Sequence, residues 1–312
     1  MKHRTSQRDG QPSGDEGLEA TIERFCVHLS AANKAPGTIS AYRRDLRLVT
    51  CVIESFAPTL RCHDLTPALL DRALSSTEVL HTQRGLRSPA SIHRLKAAVR
   101  AFFAWTTDAG ISPENPARRI RMQRLPQKPP SFLTVAEKKR LLKELKGLAG
   151  FPTLRDRAMI EMLVGTGIRL GELAALNMDD IDLDAKHLRV RAKGNVPQVK
   201  FIKTDLRTLL RRYLAERRRH GAAQSEALFL SNRSKRLCQR QIANRLAYWL
   251  KKAGIEKKLS PHSLRHTFAT HLYGATNDLL VVQRALGHRD IATTQIYTHL
   301  VDGQLEEALE RL

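Results

Sequence analysis

Apolar residues in the first hundred positions recur every three or four residues. In LEATIERFCVHL, Leu18, Ile22, Phe25, Cys26 and Leu29 fall on one side of a helix. A second stripe, Ile39, Tyr42, Leu46, Val49 and Ile53, follows Thr38, which reads as its N-cap. Thr66-Pro67 and Ser88-Pro89 each set a capping side chain before a proline, a helix-start signal. The second opens a long helix with Ile92, Leu95, Val99, Phe102 and Phe103 inward, ending near Gly110. The pattern predicts a four-helix domain over residues 17–115, after a polar flexible leader over 1–16.

The periodicity then stops. NPARRIRMQRLPQKPPSF is basic and proline-rich, and predicts an extended linker over residues 116–131. Beyond it, Thr134 and Glu137 make a capping box for a helix running to about Gly147. A second helix over 155–164 ends at Gly165-Thr166-Gly167. In HLRVRAKGNVPQVKFI the period changes to two, on both sides of Gly194-Asn195. That predicts a hairpin turning there, with Pro197 marking an edge strand. LRTLLRRYLAERRR returns to helical spacing and would bury Leu206, Leu209, Leu210, Tyr213 and Leu214. VDGQLEEALERL is acidic and amphipathic, with Leu305, Leu309 and Leu312 on one face. Residues 132–312 therefore predict a second domain, and the fold class is mainly α with a small β-sheet.

Charge changes this picture from a fold to a partner. The chain has 312 residues, 42% of them hydrophobic, and 53 Lys+Arg against 31 Asp+Glu, a net charge of +22. Such an excess argues for a polyanionic partner, nucleic acid first. It is steepest over residues 200–258, with 17 Lys/Arg against 4 Asp/Glu. No apolar run is long enough to span a bilayer and no signal peptide is present, so no membrane partner is expected. Cys26, Cys51, Cys62 and Cys238 are scattered, with no CxxC pair, which points to a reducing, cytoplasmic compartment. Cys26 and Cys51 read as small core residues.

The candidate chemistry begins with SPHSLRHTFATHL. Ser260 is a plausible N-cap and Pro261 the first helical position, so His262 and Arg265 share the first turn of a helix. A guanidinium, an imidazole and a helix N-terminus then converge, which suits a phosphate. The spacing of His262 and His266 also fits zinc, but no HExxH motif or cysteine pair accompanies it. VGTGIRLGELAAL presents Arg169 between a Gly-Thr-Gly turn and a short helix, with Glu172 placed to hold it or to act as an ordinary first-turn acid. ALGHRDIATTQIYTHL places His288 after a glycine and Tyr297 nine residues on. His266 and His271 read as helix-packing residues, Phe268 and Leu272 as core.

Taken in order, Arg169 in GTGIRLGEL, His262 and Arg265 in PHSLRHTFATHL, and His288 and Tyr297 in LGHRDIATTQIYTHL resemble the signature of the tyrosine recombinases, or phage-type integrases, their Xer-like branch in particular. TISAYRRDL, SIHRLKAAVRAFFAW, ENPARRIRM and the lysine of AKGN extend the resemblance over most of the chain. It implies a DNA clamp made of a helical, SAM-like core-binding domain and a catalytic domain. It implies an enzyme that cleaves and rejoins DNA through a covalent 3′-phosphotyrosyl intermediate and a Holliday junction. Tyr297 would be the nucleophile, Arg169 and Arg265 the phosphate clamp, and His262 an aid to proton transfer. His288 would hydrogen-bond the phosphate, and Lys193 would be the general acid, with Lys200 and Lys203 as alternatives nearby. No metal and no ATP would be required. The partners implied are double-stranded DNA and a homotetramer on two sites, with or without a second recombinase or accessory protein, in a prokaryotic, nucleoid-associated setting. Two other readings stay open: a type IB topoisomerase-like nicking-closing enzyme, and a non-catalytic architectural or regulatory DNA-binding protein.

Overall fold

The computed structural model describes residues 17–123, 130–146, 150–191, 197–220 and 225–287. Lys193, His288, Tyr297, the Gly194-Asn195 turn, the leader and the C-terminal acidic segment lie outside the described residues. The chain divides into two compact units, Met1–Gln127 and Lys128–Leu312.

In the first unit the apolar stripes become α1 (Leu18–Ala31), α2 (Pro36–Phe56), α3 (Pro67–Leu74) and α5 (Pro89–Asp108). A one-turn helix, α4 (Thr77–Leu80), and a hairpin of two-residue strands, β1 (His81–Thr82) with β2 (Gly85–Leu86), have no counterpart in the apolar pattern. The Thr66 and Ser88 hydroxyls accept the Leu69 and Ser91 amides, each at 3.3 Å, one residue ahead of a proline. Thr38 is not a cap: Pro36, with its preset φ, opens α2 and Ala35 takes the cap position. Ile22, Phe25, Leu46, Ile53, Leu70, Leu95, Val99 and Phe102 form the core. Ala117 and Ile120 pack onto it. Cys26 is in this core, but Cys51 is exposed, because α2 buries the side bearing Leu46, Val49 and Ile53 and Cys51 falls away from it.

The second unit is built around α7 (Phe151–Thr166), most of whose residues are buried, Arg155 and Asp156 among them. It begins ahead of the expected 155–164 span because Pro152 stands in its first turn. Around it pack α6 (Val135–Lys146), α8 (Leu170–Ala175), α9 (Thr204–Arg219), α10 (Gln239–Lys252) and α11 (Pro261–Thr276). The Thr134–Glu137 capping box is present: the Thr134 amide donates to Glu137 Oε2 (2.8 Å) and the Glu137 amide to Thr134 Oγ1 (3.2 Å). A last helix, α12 (Leu279–Leu286), packs on α11 through Val282 and Leu286 against Ala269 and Tyr273. Among the described residues no helix is long and apolar enough to cross a membrane.

The sheet is antiparallel, in the order β3 (Ile181–Asp182), β4 (His187–Arg191), β5 (Pro197–Phe201), so β5 is an edge strand that begins on its proline. Its register departs from the expectation. A two-residue turn at Gly194-Asn195 would pair Val190 with Val199 and Leu188 with Phe201, apolar with apolar. The observed partners are Val190 with Gln198 and Leu188 with Lys200. A slip of one residue turns a whole strand over. Val199 and Phe201 are therefore exposed, at 54% and 80%, while Lys200 is 5% exposed beneath the sheet.

Candidate active site

Gly167 closes α7 in the left-handed region, with φ of 63°, and a Cβ there would stand 2.4 Å from the Phe268 ring of α11. Glycine thus lets the chain turn hard against α11 and deliver Arg169 beside it. Arg169 caps α8. Its amide donates to Glu172 Oε2 (2.9 Å) and its Nη1 to Glu172 Oε1 (2.8 Å). The Glu172 side chain is 6% exposed and that of Arg169 38% exposed, so a buried carboxylate orients a cation that still reaches solvent.

Ser260 and Pro261 start α11 as expected, with Ser260 Oγ accepting the Ser263 amide. His262 and Arg265, one turn apart, differ in depth. His262 is exposed, whereas Arg265 runs inward and is buried. Arg265 Nη1 donates to Gly167 O (2.6 Å) and Nη2 to Leu286 O (2.8 Å). One guanidinium therefore fastens the turn that carries Arg169 to the end of α12, two residues before His288 in sequence. Loss of solvation, then the charges of Arg265 and Arg169, hold the His262 pKa below its ordinary value. His266, read from the sequence as a helix-packing residue, stands beside the site: its ring meets the His262 ring edge to face, with centroids 4.5 Å apart. Burial, then His262 and Arg265, push its pKa down to about 4, so it stands there neutral. His271 lies apart, lining a cavity of about 280 Å³ with Lys138 and Lys203. Phe268 and Leu272 are half-buried against the α11–α12 core.

Gln198 carries no signal in the sequence, and Lys200 stands there only as an alternative proton donor to Lys193. Both reach the end of α12: Gln198 Nε2 donates to Gly287 O (3.3 Å) and Lys200 Nζ to Ala285 O. Burial, then the charge of Arg265, push the Lys200 pKa down to about 8, with Glu172 opposing and Arg169 reinforcing the fall. The signal that could have found them is the β5 register, which the run of residues by itself does not fix. Among the described residues no group of three or more His, Cys, Asp or Glu side chains is placed to hold a metal.

Two family models match the chain: the phage integrase family over residues 131–304, and the phage integrase N-terminal SAM-like domain over 22–110. The tyrosine recombinase XerC of Chromobacterium violaceum is 36% identical over 283 residues, covering 91% of this chain and 91% of that protein. A crystal structure of the XerH site-specific recombinase bound to a palindromic difH substrate superposes with a TM-score of 0.73 at 24% identity, over 93% of this chain and 84% of that one. A lambda integrase tetramer bound to a Holliday junction superposes with a TM-score of 0.68 at 18% identity, over 91% and 83%. At those identities the two structures speak to the fold.

Proposed function

The chain belongs to the phage integrase family and is a site-specific tyrosine recombinase, and on that premise we propose which residues carry the reaction and how. The Tyr297 oxygen attacks the scissile phosphorus and the bond from phosphorus to the 5′-oxygen breaks, leaving a 3′-phosphotyrosyl link and a 5′-hydroxyl. Lys193 gives the leaving oxygen its proton, and His262 accepts the proton of the tyrosine. Arg169 and Arg265 stabilise the charge gathering on the non-bridging oxygens, and His288 hydrogen-bonds the same phosphate. Attack by a 5′-hydroxyl of the other duplex reverses each step and exchanges the strands. The phosphotyrosyl bond conserves the energy of the broken one, so no ATP is needed. Two arginines supply the charge that a divalent ion supplies elsewhere, so no metal is needed.

The observation that carries this reading is Arg265. It is 2% exposed and donates at once to Gly167 O and Leu286 O. A cation that deep is costly unless it serves an anion or a network. This one gathers the Arg169 turn, the His262 turn and the chain leading to His288 around one point. The partner is double-stranded DNA. The working assembly is a homotetramer on two sites, with or without a second recombinase, in the cytoplasm at the nucleoid; the fold it shares with a lambda integrase that forms a tetramer on a Holliday junction supports this reading.

Covalent trapping tests the chemistry. The protein is mixed with a nicked duplex carrying its candidate site in the presence of chelator, then denatured. A protein–DNA adduct is expected from the wild type and none from Tyr297→Phe. An adduct that survives the substitution means another nucleophile. Tight binding to the authentic site with no adduct means a non-catalytic DNA-binding protein.

A further inference from the structure

The end of α12 is held in an unusual way. The last carbonyls of a helix lack partners within it and carry the negative end of its dipole. Here three consecutive ones are taken by side chains from elsewhere in the unit: Ala285 O by Lys200, Leu286 O by Arg265, and Gly287 O by Gln198. Gly287 completes the fit, with φ of 68°, because a Cβ there would lie 2.2 Å from the Gln198 amide. Lys200 and Gln198 are alternate residues of β5, on the face that pairs with Leu188 and Val190. An apolar residue at 200 would complete that face at no charge-burial cost. A lysine there, 5% exposed and two residues from the amide that holds Gly287, is poorly explained by packing. His288 follows Gly287 directly, and Tyr297 stands ten residues past it. Lys193 stands seven residues before Lys200 in the sequence, between the residues of β4 and β5.

We propose that Gln198 and Lys200 are positioning residues for strand cleavage: the edge strand of the hairpin clasps the C-terminal end of α12, and so registers the chain entering His288 and Tyr297 against the hairpin that carries Lys193. The proposal rests on the roles given above to Tyr297 and Lys193. Neither Gln198 nor Lys200 touches the reacting atoms in this scheme. Each acts by fixing where others stand, and a misplacement of about 1 Å costs on the order of 100-fold in rate.

The test is single-turnover cleavage by the full-length protein, on a nicked duplex and on the same duplex with sulfur in place of the bridging 5′-oxygen. A thiolate leaves without a proton, so the second substrate bypasses the general acid. Lys200→Met keeps the stem and removes the donor; Gln198→Leu removes the other donor without changing charge. Both are expected to cleave roughly 10- to 100-fold more slowly on both substrates, with DNA affinity near that of wild type and a melting temperature no lower than wild type. Lys200→Arg, which keeps a donor, is expected to recover part of the loss. Lys193→Ala is expected to recover on the sulfur substrate, and its failure to do so, or an adduct from Tyr297→Phe, counts against the underlying roles instead. Recovery of Lys200→Met on sulfur makes Lys200 the proton donor and overturns the proposal. So does wild-type cleavage by Gln198→Leu, which reduces Lys200 to a source of charge. If Lys200→Met does not fold, the half-buried Gln198→Leu decides alone.

Discussion

The second unit contains two buried arginine clusters that look alike in sequence and differ in what they leave over. In the first, Asp156 is fully buried. Its Oδ1 accepts from Arg155 Nε (3.0 Å) and Nη2 (2.8 Å), and its Oδ2 from Arg245 Nε (2.6 Å) and Trp249 Nε1 (2.9 Å). Arg155 Nη1 goes on to Leu230 O (2.9 Å) and Asn232 Oδ1 (3.1 Å). The carboxylate is saturated, and the cluster ties α7 to α10 and to the loop before it. In the second, Arg169, Arg265 and Lys200 gather within electrostatic reach of one another, with Glu172 the carboxylate among them in the described residues. Backbone carbonyls, which carry no net charge, hold two of the three cations. A saturated cluster is a joint; a cluster with surplus positive charge, held rigid by neutral acceptors, is a seat for an anion.

Breaking the joint should cost the most. Asp156→Ala leaves Arg155 buried without its carboxylate and should lower stability by about 3–5 kcal/mol, read by denaturant unfolding. A loss below about 1 kcal/mol in that measurement would mean that the cluster is ornamental. Arg169→Ala should do the reverse. Its side chain is 38% exposed, so melting should move little, while single-turnover cleavage falls by roughly 10²–10³-fold. Equal damage to melting and cleavage by both substitutions would erase the distinction.

A pH titration sharpens it further. The folded-state pKa of Lys200 is about 8, against an ordinary value of 10.5. Between those values the unfolded chain keeps the proton that the folded protein has shed. The unfolded state then binds more protons, so stability rises with pH. The unfolding free energy of wild type, minus that of Lys200→Met, should therefore rise on the order of 3 kcal/mol across the window. A flat difference would place the lysine in water, and a falling one would mean that its charged form is favoured in the fold.

Much of this was readable in sequence because it is local. Thr66-Pro67, Ser88-Pro89 and Thr134–Glu137 carry their capping partners within three residues, and each starts a helix. The GTGIRLGEL and PHSLRH segments place Arg169, Glu172 and Arg265 by turn and helix geometry alone. What could not be read depends on contacts made across the unit. Cys51 sits in an apolar run, yet its exposure is decided by which side of α2 meets the other helices. The depth of Arg265 comes from carbonyls 98 and 21 residues away in the chain. Lys200 is the sharpest case, because alternation of apolar and polar residues reports that a strand is present but leaves its facing to register.

The smallest effect belongs to the outer face of that same strand, and it bears on the register most directly. If the pairing Val190–Gln198 and Leu188–Lys200 is right, Phe201 points to solvent and is 80% exposed. Phe201→Ser should then change stability by no more than about 0.5 kcal/mol, the usual range for a surface site. Under the alternative pairing of apolar with apolar, Phe201 would sit opposite Leu188 on the core face, and the same substitution would cost about 3 kcal/mol or more. That alternative would also turn Lys200 outward, remove it from the Ala285 carbonyl and abolish the pH-dependent gain. One unfolding curve therefore bears on two structural claims: a large loss for Phe201→Ser removes the clasp on α12 together with the register that creates it.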